Sequence, residues 1–422
     1  MASRADHPSR VAGIAVPWAV VFCLVLVLAG CGGTEIRPPA PPANHTDARA
    51  AGAAVLLQEL RHGLLGHDRA AVQSLAAPDS QSRVAVRDIY DNAVALRLEH
   101  LDFRYVDESQ GAVDENASAA YGDRAWSADV TTTWRIPVYD PGDSHLDTRF
   151  TFVATKAGVR LAAVGGGGER GALWLQGPLH VVRSADALVL VAAEPPARFA
   201  ALGKQAVVDV RKVLHRWRGR LVIEVPGSEK ELEQVLDATT GEYSAIAAVT
   251  TTDDGSLVPG TPVHVFVNPK VFDGLGPRGA QVVLSHEATH VATDATFASM
   301  PTWLLEGFAD FVALAHSDVP LRTAASQVFA RVRRQGGPRQ LPSTAQLDPS
   351  APGLGARYEE AWTVCRFIGA RYGEQKMVAF YDAVDHGSST QQTFRRVLGT
   401  DQRDFVQAWR TNLVALAGGV GG

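Results

Sequence analysis

The chain has 422 residues, 46% of them hydrophobic, with 40 basic and 45 acidic residues and a formal net charge of −5. A chain of this length can bury two hydrophobic cores. Its mildly acidic balance argues against nucleic acid as a partner.

Arg4 and Arg10 precede an apolar run, residues 11–30, that carries no charge. A basic start followed by such a run is the pattern of an export signal, although its length would also let it span a bilayer as a retained helix. The run ends in Leu28-Ala29-Gly30-Cys31, which resembles the bacterial lipobox. That resemblance implies a signal peptide over 1–30 and a lipid such as palmitate on Cys31. The remainder would then be extracytoplasmic, anchored to the cell membrane through that lipid. Residues 31–47 are rich in proline and polar residues and suit a semi-rigid tether. With Cys23 in the signal and Cys31 lipidated, Cys365 is left alone and no internal disulfide is expected. Flanked by Ala361, Val364 and Ile368 at helical spacing, Cys365 reads as a core residue.

An N-terminal α+β domain is expected over 48–168. Ala53, Leu56, Leu57, Leu60 and Leu64 form a helical stripe, and a second helix with Val84, Ile89 and Val94 is expected over about 80–95. Then the period changes to two. The even positions from Trp126 to Val138 are apolar or Thr132, which predicts a long strand with one buried face. Residues 96–106, 149–155 and 159–164 read as further strands. Helices followed by a curved antiparallel sheet resemble the nuclear-transport-factor-like cone fold in pattern alone. His62, His67 and His100 stand apart from one another and suggest no chemistry. The glycine run at 165–168 lacks the Lys-Ser/Thr of a phosphate loop and reads as a linker.

The second domain is expected over 172–418. Strands over 178–183 and 187–192 precede a helix opened by Pro195 and Pro196, with Phe199, Leu202, Ala206, Val207, Val210, Val213, Leu214 and Trp217 on one face. A strand at 221–225 leads to a short helix capped by Ser228. Strand-like runs at 243–251 and 262–268, separated by Asp253-Asp254-Gly255, read as antiparallel neighbours.

The stretch from 281 to 290 reads QVVLSHEATH. His286 and His290 stand four apart, a little over one helical turn, so both imidazoles leave one face and can reach one zinc ion. Apart from Glu287, residues 281–292 are uncharged, as suits a helix largely buried, and Gly276-Pro277 supplies its start. Zinc wants a third protein ligand and an open position for water. Glu306, sixteen residues beyond His290 in the amphipathic stretch 301–311 that Pro301 can begin, supplies that ligand. Asp310, one turn further, is suited to orient a histidine through its other ring nitrogen.

His286-Glu287-x-x-His290 followed by Glu306-Gly307-x-x-Asp310 resembles the gluzincin metallopeptidases, most nearly the peptidase-MA-like group. The resemblance covers about 240 residues. It implies a thermolysin-like domain with a mixed sheet lobe and a helical C-terminal lobe, holding one Zn2+ on His286, His290 and Glu306. Glu287 would act as general base on a water and as proton donor to the leaving nitrogen. Tyr358, expected to open a helix over 358–372, is the candidate donor to the developing oxyanion, with Tyr372 and Tyr243 as competitors. By the same analogy the strand at 243–251 would be an edge along which a peptide or protein substrate lies, with Thr250-Thr251-Thr252 as its exposed end. No Gly-x-Met-Glu-Asn signature precedes the zinc helix, so an endopeptidase fits better than an aminopeptidase. The alternative is a non-catalytic, envelope-binding lipoprotein with a remnant zinc domain, against which the retention of Glu287 speaks. His264 and His316 are expected to be structural or solvated, and the helix with Phe405, Ala408, Trp409 and Leu413 to close the second lobe.

Overall fold

A computed structural model describes residues 45–109, 113–165, 170–193, 195–348 and 351–419. The export signal and Cys31 lie outside the described residues, as does most of the tether. Three helices come first: α1 (His45–Leu65), α2 (Arg69–Ser74) and α3 (Ser80–Leu96). The expected stripe from Ala53 to Leu64 is buried. In α3 the inner face differs from the expected one. Val84 is 43% exposed, while Val86, Ile89, Ala93 and Leu96 are buried. Residues 84, 89 and 94 are five apart, a spacing that drifts about 140° around the helix at each step, whereas three- and four-residue spacing keeps one face.

A four-stranded antiparallel sheet follows, ordered β1 (Glu99–Glu108), β2 (Ala125–Arg135), β3 (Ser144–Thr155) and β4 (Gly158–Val164), with α4 (Glu115–Tyr121) between β1 and β2. Along β2, Trp126, Ala128, Val130, Thr132 and Trp134 are buried as the alternation predicts. Trp126 stacks on Phe152 of β3 at 5.7 Å. The strand stops at Arg135, short of the expected 138. Pro137 has no N–H for the ladder, and the Asp140 carboxylate accepts the Ile136 N–H at 2.7 Å. The chain turns there and leaves Val138 65% exposed.

The second sheet is ordered β5 (His180–Arg183), β6 (Ala187–Val191), β7 (Leu221–Val225), β9 (Val263–Val267) and β8 (Ala248–Thr252). β6, β7 and β9 run parallel, and β5 and β8 pair antiparallel at the two edges. Helices α5 (Ala197–Val213) and α6 (Glu229–Leu236) precede and follow β7. Alternation along the central strands divides their side chains between two layers. Leu188, Leu190, Val222 and Phe266 pack with Trp134 and Trp174. Val189, Val191, Ile223, Val225 and Val265 pack with Phe199, Val210, Leu284 and Ala288. Of the glycine run at 165–168 only Gly165 is described. Beyond it Leu173, Trp174 and Leu175 are buried, and Trp174 meets Trp134 edge-on at 6.1 Å. The N-terminal layer therefore packs directly on the second sheet across one continuous core.

The strand expected over 243–251 is shorter and later. Residues 239–247 run as turns, with the Asn268 side chain donating to the Tyr243 carbonyl at 2.8 Å. Thr252, expected at an exposed end, is buried where β8 pairs with β9.

A helical lobe completes the α+β fold: α7 (Pro269–Phe272), α8 (Pro277–Ala292), α9 (Thr302–Ala315), α10 (Leu321–Ala324), α11 (Ser326–Gln335), α12 (Leu354–Tyr372), α13 (Glu374–Asp385), α14 (Thr390–Leu398) and α15 (Gln402–Gly418). α12 begins one turn before Tyr358, where its start was expected. Pro301 is the N-cap of α9 rather than its first helical residue.

One polar network crosses the joint between the layers. His264 is buried with Nδ1 2.7 Å from Glu224 Oε1 and Nε2 3.1 Å from Asp140 Oδ1. Asp253, just past β8, accepts from the Ser144 hydroxyl at 2.6 Å. Burial lifts the Asp253 carboxyl to about 7 against the pull of His264. Burial also opposes charge on His264, but Asp140, Asp253 and Glu224 together raise its pKa well above the ordinary value. Both groups hold protons more tightly in the folded chain than in the unfolded one. Their contribution is thus complete in acid and is lost as pH rises, for Asp253 through about 7. Asp253→Asn should flatten the fall of stability between about pH 5 and 6.5 by ~1.4 kcal/mol per pH unit. Urea unfolding over a pH series measures this, and an unchanged slope would mean that Asp253 is already ionised in the fold.

Candidate metal centre and cleft

α8 starts as expected, with Gly276 as N-cap and Pro277 in its first turn. One face packs Leu284 and Ala288 into the core, while His286 and His290 face α9. Glu306 on α9 meets both histidines. His286 Nε2 lies 3.2 Å from Glu306 Oε2, His290 Nε2 lies 3.6 Å from the same oxygen, and the two Nε2 atoms are 3.0 Å apart. Behind them His286 Nδ1 contacts Asp310 Oδ1 at 2.8 Å.

Gly307, next to Glu306, sets the height of α9. A methyl group there would stand 2.5 Å from the Ala361 carbonyl oxygen of α12. Only glycine lets the two backbones approach so closely. Cys365, on the same face of α12, is buried, and burial holds its thiol well above the ordinary pKa. It behaves as the core residue its spacing predicts.

Carboxylates and imidazoles this close shift one another. Burial pushes Glu306 up, but His290 and His286 outweigh it and hold its carboxyl well below the usual range. Burial disfavours charge on His286, yet Asp310, Glu306 and Glu287 raise its pKa. Glu287 is 7% exposed, and its carboxyl is raised by burial despite the opposing pull of His286, His290 and a hydrogen bond from Thr250.

These groups line a cleft of about 530 Å³. Its walls include Ala245 to Thr250 leading into edge strand β8, Val282 and Val283 of α8, and Leu354 and Tyr358 of α12. Tyr358 is half-buried. Burial, with the carboxylates of Glu306, Asp310 and Glu287, pushes its phenol pKa up, so it stays a hydrogen-bond donor. The two competing tyrosines lie elsewhere. Tyr243 packs against the N-terminal layer, and Tyr372 stacks on Phe405 at 6.5 Å in the helical lobe. His316 lies 3.7 Å from Glu374, away from the cleft. Among the described residues, sequence reasoning passed over one contact of the site, that of Thr250 with Glu287. Nothing local signals a bond between residues 37 apart.

No family model matches the chain, and no curated protein is similar to it. The donor set must speak for itself. Four ligands at zinc's usual ~2.05 Å bond length sit about 3.3 Å apart in a tetrahedron. The three donor atoms here form a triangle with sides of 3.0, 3.2 and 3.6 Å. Two imidazoles and a carboxylate are also the donor types of hydrolytic zinc sites, so the residues fit that ion. Asp310→Asn should weaken zinc affinity about 10- to 100-fold by loosening His286. Chelator competition reads this, and an unchanged affinity would remove Asp310 from the site's support.

Proposed function

We propose that the chain is a zinc-dependent peptidase, most nearly an endopeptidase, with a gluzincin-like, thermolysin-like core. The observation that carries this reading is the juxtaposition, in one open cleft, of the His286–His290–Glu306 donor triangle with the buried Glu287 and the edge strand β8. A zinc ion held there supplies a Lewis acid, which lowers the pKa of a water and polarises a carbonyl oxygen.

The remaining work falls to the chain. Glu287 accepts the proton of the attacking water and delivers it to the leaving nitrogen. Burial raises its carboxyl against the pull of His286, His290 and the Thr250 hydroxyl. Asp310 holds the His286 ring through Nδ1 and leaves Nε2 for the ion. Tyr358, kept protonated by burial and then by the surrounding carboxylates, donates to the oxygen on which negative charge develops. Among the described residues β8 has one unpaired edge, to which an extended peptide can add as a further strand. The Cys31 lipid and an extracytoplasmic location belong to the same proposal and rest on the first 31 residues.

Glu287→Gln should retain zinc and lose about 10²- to 10⁴-fold in kcat on a peptide library. A variant as fast as wild type, or a wild type without zinc, would overturn the reading. Tyr358→Phe should lower kcat by about 10- to 10³-fold with KM little changed. Steady-state kinetics on one identified peptide separate the two constants, and an unaltered kcat assigns Tyr358 to packing.

A further inference from the structure

Glu287 is held from outside its own helix. The Thr250 hydroxyl, on edge strand β8, lies 2.7 Å from Glu287 Oε2 and 3.1 Å from the Glu287 main-chain oxygen. A hydroxyl has one proton to give, and the shorter contact, to the carboxylate, takes it as a charge-assisted hydrogen bond. Glu287 Oε1 takes no hydrogen bond from a described residue, so one carboxylate oxygen is fastened and the other is left for a reacting proton.

Resting on the peptidase reading, we propose that Thr250 is a positioning residue that fixes the Glu287 carboxylate through its hydroxyl. Three features make it a rigid anchor. Threonine is stiff at its first side-chain torsion. Its backbone is paired in register with Val265 of β9. The next pair in that ladder, Thr251 with His264, is tied through His264 to the buried Glu224 and Asp140. A glutamate otherwise turns about three torsions, and a base displaced by about 1 Å can cost 10²-fold in rate. The strand proposed to align the substrate thereby also contacts the base, which ties the scissile bond and the Glu287 carboxylate to the same strand.

A purely structural role, with Thr250 tying β8 to α8 through the Glu287 main-chain oxygen, predicts different results. Thr250→Val keeps the side-chain shape and removes the hydroxyl, whereas Thr250→Ser keeps the hydroxyl. We expect Thr250→Val to lower kcat about 10- to 100-fold with KM and zinc affinity within about threefold of wild type. Thr250→Ser should recover most of the rate. Crystal structures supply a readout independent of turnover. The Glu287 carboxylate should leave its position in Thr250→Val and keep it in Thr250→Ser, with Thr250→Ala as substitute should the valine variant not fold. A carboxylate that stays in place without the hydroxyl, or a serine variant as slow as the valine one, would overturn the proposal. If wild type and Glu287→Gln prove equally inert, the peptidase reading fails by itself, and the crystal structures still decide whether Thr250 positions the carboxylate.

Discussion

Burial of the parallel strands β6, β7 and β9 on both faces is the constraint from which the rest of the architecture follows. Every residue of β6 and β7 is buried, so each face of the sheet must be covered by something apolar. One cover is the N-terminal layer, through Trp134 and Trp174. The other is helical, through Phe199 of α5 and Leu284 and Ala288 of α8. Once α8 is committed to that surface, its opposite face points at α9. The histidines lie on that opposite face, at the boundary between sheet and helical lobe.

The same constraint governs the polar groups. A buried charge is tolerated only with partners, and the clusters around His264 and His286 meet that demand differently. Around His264 the carboxylates of Glu224 and Asp140 occupy both ring nitrogens, and the network closes on itself between the layers. Around His286 only Nδ1 is taken up by Asp310. The Nε2 atoms of both histidines converge on one oxygen of Glu306 at the wall of an open cleft. A closed network ties layers together, and an open one has donor atoms left for an ion. Glycine contributes too, because a side chain at Gly307 would meet the Ala361 carbonyl of α12 and hold α9 away.

What was legible in the sequence followed the range of each interaction. The stripe of α1, the alternation of β2, the start of α8 at Gly276-Pro277 and the one-face spacing of His286 and His290 are set within one or two turns of chain. They could be read directly. Asp310 was placed by its one-turn spacing from Glu306, whereas Glu306 itself was picked out by its interval from His290 and by the motif it shares with the resembled family. Misreadings came where local pattern competed with packing. Val84 matched an apolar list but not the stripe, and the strand at 243–251 was overruled by Asn268, which holds the preceding turns. Tyr358 was preferred to Tyr243 and Tyr372 only through the resemblance, since what separates them physically is which element stands opposite each.

The sequence by itself determined the α+β class and the helices that carry the candidate donor residues, because periodicity and side-chain spacing are properties of a few neighbouring residues. Only the tertiary structure decided that the N-terminal layer and the second sheet share a core, that Tyr358 and not its rivals lines the cleft, and that Thr250 grips Glu287. Each of these joins residues tens to more than a hundred positions apart. Which distant groups meet is set by how whole faces cover one another, and no stretch of chain carries that information alone.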